Sequence, residues 1–117
     1  MTPEKQNMIM AELDGWKNSD HPDCKAVTKG WVSHERWCLD PYGKLSFHHE
    51  RPDYLNNFIA VRNVTNKLLS WDWIDEEPSG EIFGRILIEM CGSPSGAIHA
   101  RANQWVEALI KTMNKWE

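Results

Sequence analysis

A chain of 117 residues is one domain's worth, long enough for a modest core and too short for two. Hydrophobic residues at 41% and charged residues at 26% sit near globular averages, which excludes disordered and collagen-like chains. Thirteen Lys and Arg against seventeen Asp and Glu give a net charge of −4, without the basic excess that duplex nucleic-acid binders exploit.

Apolar runs fall far short of the ~20 residues of a transmembrane helix. The opening Met1-Thr2-Pro3-Glu4-Lys5 has no basic flank leading into an apolar stretch, so neither a membrane anchor nor a secretory leader is expected. Three cysteines, Cys24, Cys38 and Cys91, are an odd and sparse set, which fits a reducing cytoplasm better than a disulfide framework. Seven Trp are many for this length, and most are expected to supply core area.

In chain order, the first predicted element is a helix. Thr2 can cap it, Pro3 suits the first helical position, and Glu4 faces the positive end of the dipole. Ile9, Met10, Leu13 and Trp16 share one side, and Gly15 is placed for a left-handed terminus with Trp16 folding back. Asn18 to Asp23 reads as a loop. Alternation through Trp31 to Leu39, the turn Asp40-Pro41-Tyr42-Gly43, and a short run from Lys44 to His48 predict an antiparallel hairpin or three-strand meander.

Pro52-Asp53 predicts a second helix, capped by Asp53, with Tyr54, Leu55, Phe58, Ile59, Val61, Leu68 and Leu69 on its apolar face. Arg62 projects from that face and either snorkels to its edge, meets a buried carboxylate or points into a pocket. After the acidic, aromatic connection from Ser70 to Gly80, a third helix starts at a Ser79 cap and ends at Gly92. The spacing of Ile82, Ile86, Ile88 and Met90 also permits a strand there. Ser93 to Gly96 reads as a loop. The last helix carries Ala102, Trp105, Val106, Leu109, Met113 and Trp116 in one stripe, with Glu107 supporting Lys111 four residues on. The whole chain, 1–117, reads as a single α+β domain with helices packed on a small antiparallel sheet.

Three segments are familiar together. Pro52-Asp53-Tyr54-Leu55-Asn56-Asn57-Phe58-Ile59-Ala60 resembles P-[ND]-Y-x-x-D-L-N-A. Ile98-His99-Ala100-Arg101-Ala102-Asn103-Gln104-Trp105-Val106-Glu107-Ala108-Leu109, running on to Lys115-Trp116-Glu117, resembles H-A-[TS]-x-x-Q-R-x-E-A-[FL] followed by a terminal G-[KL]-W-E. A first helix closing in Gly15-Trp16 is the third, resembling a helix that closes in C-G-W. In this order they resemble small bacteriophage and prophage proteins of the phage ABA sandwich domain group. That resemblance implies an α-β-α sandwich-like fold and a phage origin, with no established reaction attached. The chain departs from the pattern where Asn57-Phe58-Ile59 replaces D-L-N, where Arg62 holds a position often His, and where Trp105 replaces the Arg of Q-R. The polar set is rewritten toward apolar packing, aromatic contact and one Arg.

Several constellations carry chemistry. His21-x-x-Cys24 and His34-x-x-x-Cys38 offer two imidazoles and two sulfurs, a tetrahedral zinc set in composition, against which stands the plainer reading of unlinked loop and core residues. His48-His49-Glu50 reads as a solvated strand end, since neighbouring strand residues point to opposite faces. His99 reads as structural. No phosphate loop, nucleophile elbow or H-E-x-x-H occurs, so a non-enzymatic protein without a cofactor is expected.

Trp71, Asp72, Trp73, Asp75, Glu76 and Glu77 are the expected partner-binding stretch. Two Trp on one side of an extended segment would anchor a contact, and the carboxylates would steer a basic host protein. The plainer alternative is a connector with inward Trp and solvated carboxylates. Arg62, Arg101 and Trp105 are the alternative, ligand-binding set, with cations and a stacking ring suited to a nucleotide signal held in a pocket between the protomers of a homo-oligomer. The expectation is thus a phage accessory protein in the bacterial cytoplasm that binds a host macromolecule, in the manner of an anti-CRISPR inhibitor. A small-molecule sponge and a structural phage component are the rivals. A basic, aromatic-lined cleft would favour the sponge, and a flat acidic patch would favour the protein partner.

Overall fold

The computed structural model describes residues 1–29, 37–69 and 78–116, with the backbone alone at Trp37. In chain order these form α1 (Pro3–Asp14), α2 (Pro22–Val27), β1 (Trp37–Leu39), β2 (Leu45–Phe47), α3 (Phe58–Leu68), α4 (Ser79–Cys91), α5 (Pro94–Ile98) and α6 (Ala102–Thr112). Two single 3-10 turns, His48–Glu50 and Tyr54–Asn56, follow β2 and precede α3. The fold is α+β, dominated by helices, with one small antiparallel sheet. No helix among the described residues is long and apolar enough to cross a membrane. The chain forms two compact units, Met1–Met10 with Asp53–Glu117, and Ala11–Pro52.

The start and end of α1 form as the sequence predicts. The Thr2 hydroxyl accepts from the Lys5 N–H at 3.2 Å, satisfying one of the orphan donors of the first turn. At the other end, Trp16 N–H donates to Ala11 O at 2.9 Å and Gly15 N–H to Glu12 O at 3.1 Å, the paired bonds of a Schellman terminus. That arrangement needs positive φ at Gly15, which stands at +109°.

In the Ala11–Pro52 unit the hairpin is set by its turn. Gly43 N–H donates to Asp40 O at 2.9 Å, Pro41 supplies the fixed φ of the second position, and Gly43 takes φ +81°. The Asp40 carboxylate accepts from the N–H groups of Tyr42 and Lys44 at 2.9 and 2.8 Å. The register Trp37–Phe47, Cys38–Ser46, Leu39–Leu45 follows. Lys17 exchanges two backbone bonds of 3.0 Å with Leu39, one residue's worth of a third strand. The alternation expected over 31–36 lies outside the described residues.

The loop expected at Asn18–Asp23 gives way to α2. His21 acts as its N-cap, its Nδ1 accepting from the Asp23 N–H at 3.1 Å, and Pro22 occupies the first helical position. Packed against β1, α2 contributes the buried Cys24 and Thr28, and the Thr28 hydroxyl donates to Cys24 O at 2.9 Å. Lys17 pairs with Asp23 at 2.7 Å, and the Arg51 guanidinium donates to the Asn18 side chain at 2.9 Å.

In the larger unit, α4 and α6 form the principal helix pair, joined through α5. Phe83 and Leu87 from α4 meet a core that includes Val106, Leu109 and Ile110 of α6 and the fully buried Tyr54. Residues 79–91 are helix, which resolves the helix-or-strand ambiguity. Pro78 takes the cap position expected of Ser79, its carbonyl accepting from Glu81 N–H at 2.9 Å. Ser93 to Gly96, expected as loop, instead starts α5, with the Ser93 hydroxyl capping Gly96 N–H at 3.0 Å. In α6, Glu107 and Lys111 pair at 2.9 Å, and Lys111 lies 5.3 Å from the Trp116 ring centroid.

The start of α3 differs from the sequence expectation. The helix begins at Phe58, not after Asp53, because the Asn57 side chain accepts from Ala60 N–H at 3.1 Å and takes the cap. Val61, Val64 and Thr65 then form the buried face, and the Thr65 hydroxyl is satisfied by Val61 O at 2.8 Å. Against this face Ile59 falls opposite and is 72% exposed, Phe58 sits at the edge, and Arg62 lies one turn beyond Phe58 and is exposed. Arg62 therefore belongs to the rim, the first of its three expected dispositions.

Candidate ligand-binding cleft

A hydrogen-bond network in the larger unit builds one wall of a cleft. Asn7 on α1 donates from Nδ2 to Asp53 Oδ1 at 3.0 Å and accepts from Leu55 N–H at 3.3 Å. The second Asp53 oxygen accepts from Asn56 Nδ2 at 2.8 Å. These bonds, Asn56's first and Asn7's second, hold the Asp53 carboxyl below the usual carboxylate range. They also fix Leu55 and Asn56 beside Phe58.

The opposite wall is the start of α6. Ala100, Arg101 and Asn103 line it, with Pro3 completing an open cleft of about 740 Å³. Arg101 sits at the cap position with an exposed side chain. A guanidinium has no acceptor, so it cannot cap the helix itself. Instead Gln104 Oε1 reaches back to the Arg101 N–H at 2.8 Å, the return half of a capping box. Among the described residues no carboxylate pairs with Arg101.

Behind the cleft lies an aromatic stack. The Phe58 and Trp105 rings are 5.0 Å apart at 70°, and Trp105 meets Phe83 at 5.1 Å and 65°. Edge-to-face pairs of this kind contribute about 0.5–1.5 kcal/mol each beyond the area they bury. Phe83 is 2% exposed and anchors the stack in the core, while Phe58 at its outer end remains 39% exposed. Trp105 is half-buried between them.

Nothing matches in comparison with known proteins: no family model, no curated protein and no solved structure. The cleft therefore stands on its own chemistry. It combines a cation without a carboxylate partner among the described residues, a braced and partly exposed aromatic ring, and the amides of Asn56 and Asn103 on one concave surface.

Of the expected ligand set, Arg101 lines the cleft, Trp105 supports its aromatic wall from behind, and Arg62, one turn after Phe58 on α3 and exposed, does not line it. Sequence reasoning missed Phe58, which the helical projection assigned to the core, and Asn7, whose only signal was a polar residue of modest helix propensity inside α1. The expected partner stretch, Trp71, Asp72, Trp73, Asp75, Glu76 and Glu77, lies outside the described residues.

Of the zinc set, His34 lies outside the described residues. His21 is exposed and caps α2, and Cys24 and Cys38 are fully buried. The Cys38 thiol donates to Ser46 O at 3.5 Å, and burial raises both thiols above their ordinary range. No three metal-ligating side chains gather among the described residues. His48 and His49 form a 3-10 turn rather than a strand end, with His49 stacked on Phe47 at 5.4 Å. His99 is exposed.

A second cleft, in the Ala11–Pro52 unit, has a volume of about 490 Å³ and is lined by Glu12, Trp16, Lys17, Asn18, Asp20 and His21. Three of its polar groups are engaged by residues outside the lining: Lys17 by Asp23, Asn18 by Arg51, and His21 by the Asp23 N–H it caps. Trp16 Nε1 has no partner among the described residues, but the atom is sealed from solvent, so a molecule in the cleft would not reach it.

Proposed function

We propose that this chain is a phage-encoded accessory protein that works in the bacterial cytoplasm by binding, and that its described surface holds an anionic small molecule at Arg101. The observation that carries the reading is the Arg101 guanidinium, without a carboxylate partner among the described residues, lining the same cleft as the braced Phe58 ring. A cation beside an ordered aromatic surface favours a charged, flat ligand, because the ring needs no ordering on binding and no carboxylate among the described residues competes for the charge. The phage origin rests on the sequence resemblance alone. In such a setting a binder of small anions would act as a sponge for host signals.

Capture of a host protein through Trp71, Trp73 and the carboxylates Asp75, Glu76 and Glu77 is the second reading, favoured by the charge of that stretch. Native mass spectra of the purified protein, before and after exposure to filtered host lysate, separate the two. The first reading expects a discrete small-molecule mass on the wild type that Arg101→Ala does not retain. A stoichiometric host protein and no small adduct, lost on reversing Asp75, Glu76 and Glu77 to Lys, would establish the second instead.

A further inference from the structure

We infer that the ligand of this cleft joins a flat aromatic ring to an anionic group, the chemistry of a nucleoside monophosphate. The inference rests on the reading of the cleft as a ligand site and adds what must fill it. The two recognition elements sit on different chain segments that converge: Arg101 at the start of α6, and Phe58 at the start of α3. An anion alone would use only the first. Phe58 is 39% exposed although its neighbours in the stack are half-buried Trp105 and buried Phe83. Its ring is held by Trp105 while the residue stays partly open to the cleft, a setting in which a second ring stacks with little ordering cost.

The amides add polar selectivity. Asn56 gives its Nδ2 to Asp53, which leaves its Oδ1 for a donor on the ligand, and Asn103 is exposed at the other wall. A base edge or ribose hydroxyl supplies the matching groups. Each stacked ring is worth about tenfold or more in affinity, and an Arg–phosphate contact adds a charge-assisted bond of comparable weight.

The test compares three probes by calorimetry: adenosine monophosphate, ribose 5-phosphate, which keeps the anion, and adenosine, which keeps the ring. The wild type is expected to bind the monophosphate at least tenfold more tightly than either fragment. Phe58→Leu, which keeps apolar volume at the edge of α3, is expected to bring the monophosphate down to the level of ribose 5-phosphate. Arg101→Ala is expected to bring it down to the level of adenosine. A ten-residue single-stranded oligonucleotide is expected to compete no better than the mononucleotide. Equal binding of monophosphate and ribose 5-phosphate, unchanged by Phe58→Leu, would overturn the ring requirement and leave an anion site standing. Tighter oligonucleotide binding would overturn the small ligand. No binding of any probe by folded protein would overturn both the inference and the reading beneath it.

Discussion

Phe58 at the start of α3 meets Trp105 of α6 edge-to-face, 5.0 Å between centroids, and this contact ties an exposed ring to the core through Phe83. Trp105 thus works from behind the cleft surface. Truncating it should act first on stability and only through Phe58 on binding. Trp105→Ala is expected to cost about 2–3 kcal/mol, reduced from the value for a fully buried Trp because this one is half-buried. Trp105→Phe should lose less than half of that. Urea unfolding of both variants measures the difference, and a loss below ~0.5 kcal/mol for the alanine variant would show that the stack braces nothing.

Gly15 closes α1 at φ +109°. A Cβ there would sit 3.4 Å from Pro41 Cβ, ordinary contact, so the penalty of Gly15→Ala comes from the backbone conformation and not from crowding. The expected loss is about 1–2 kcal/mol, read as a lower thermal midpoint. An unchanged midpoint would mean the Schellman terminus does not hold in solution.

Asp53 has a folded-state pKa lowered by Asn56 and Asn7, so its contribution to stability is fully present above its unfolded value and fades as pH falls through the lower, folded one. Asp53→Asn can keep one acceptor but not two, and it removes the titration. The variant is expected to be less stable than the wild type near pH 6, and the gap should narrow as pH falls through and below the ordinary Asp range. Denaturant midpoints across that range decide it, and a constant gap would contradict the network. Asp23, held low by its hydrogen bond to Lys17, follows the same sign from an exposed position.

The thiols should separate by burial. Cys24 and Cys38 are fully buried with raised pKa values, whereas Cys91 is half-buried. A thiolate-seeking reagent on native protein is expected to label Cys91 first, leaving the other two until unfolding. Rapid labelling of all three would show that the hairpin and α2 open readily.

The elements that sequence placed well are those specified by neighbours in the chain. Thr2, Pro3 and Glu4 start α1 and Gly15-Trp16 ends it, all through bonds spanning five residues or fewer. Asp40-Pro41-Tyr42-Gly43 likewise contains its whole turn. The start of α3 was not legible in that way. Asp53 and Asn57 are both capping types four residues apart, and Asp53 is drawn off by Asn7, 46 positions distant in sequence. Once the helix starts at Asn57, Phe58 moves from the core to the edge, and the aromatic half of the cleft appears. Arg101 was singled out for its charge alone. Its partners Phe58 and Asn56 come from a segment whose place is set by tertiary bonds, which no spacing rule encodes. His21, a candidate metal ligand by composition, caps α2, and the signal for that role is Pro22 at the first helical position.

The most direct test of the cleft is a titration of isotope-labelled protein with adenosine monophosphate, followed by amide chemical shifts. The account predicts perturbations confined to residues 55–58 and 100–103, saturating together, with the midpoint shifted to at least tenfold higher ligand concentration in Arg101→Ala. Shifts centred on Trp16 to His21, or none at saturating ligand, would contradict it.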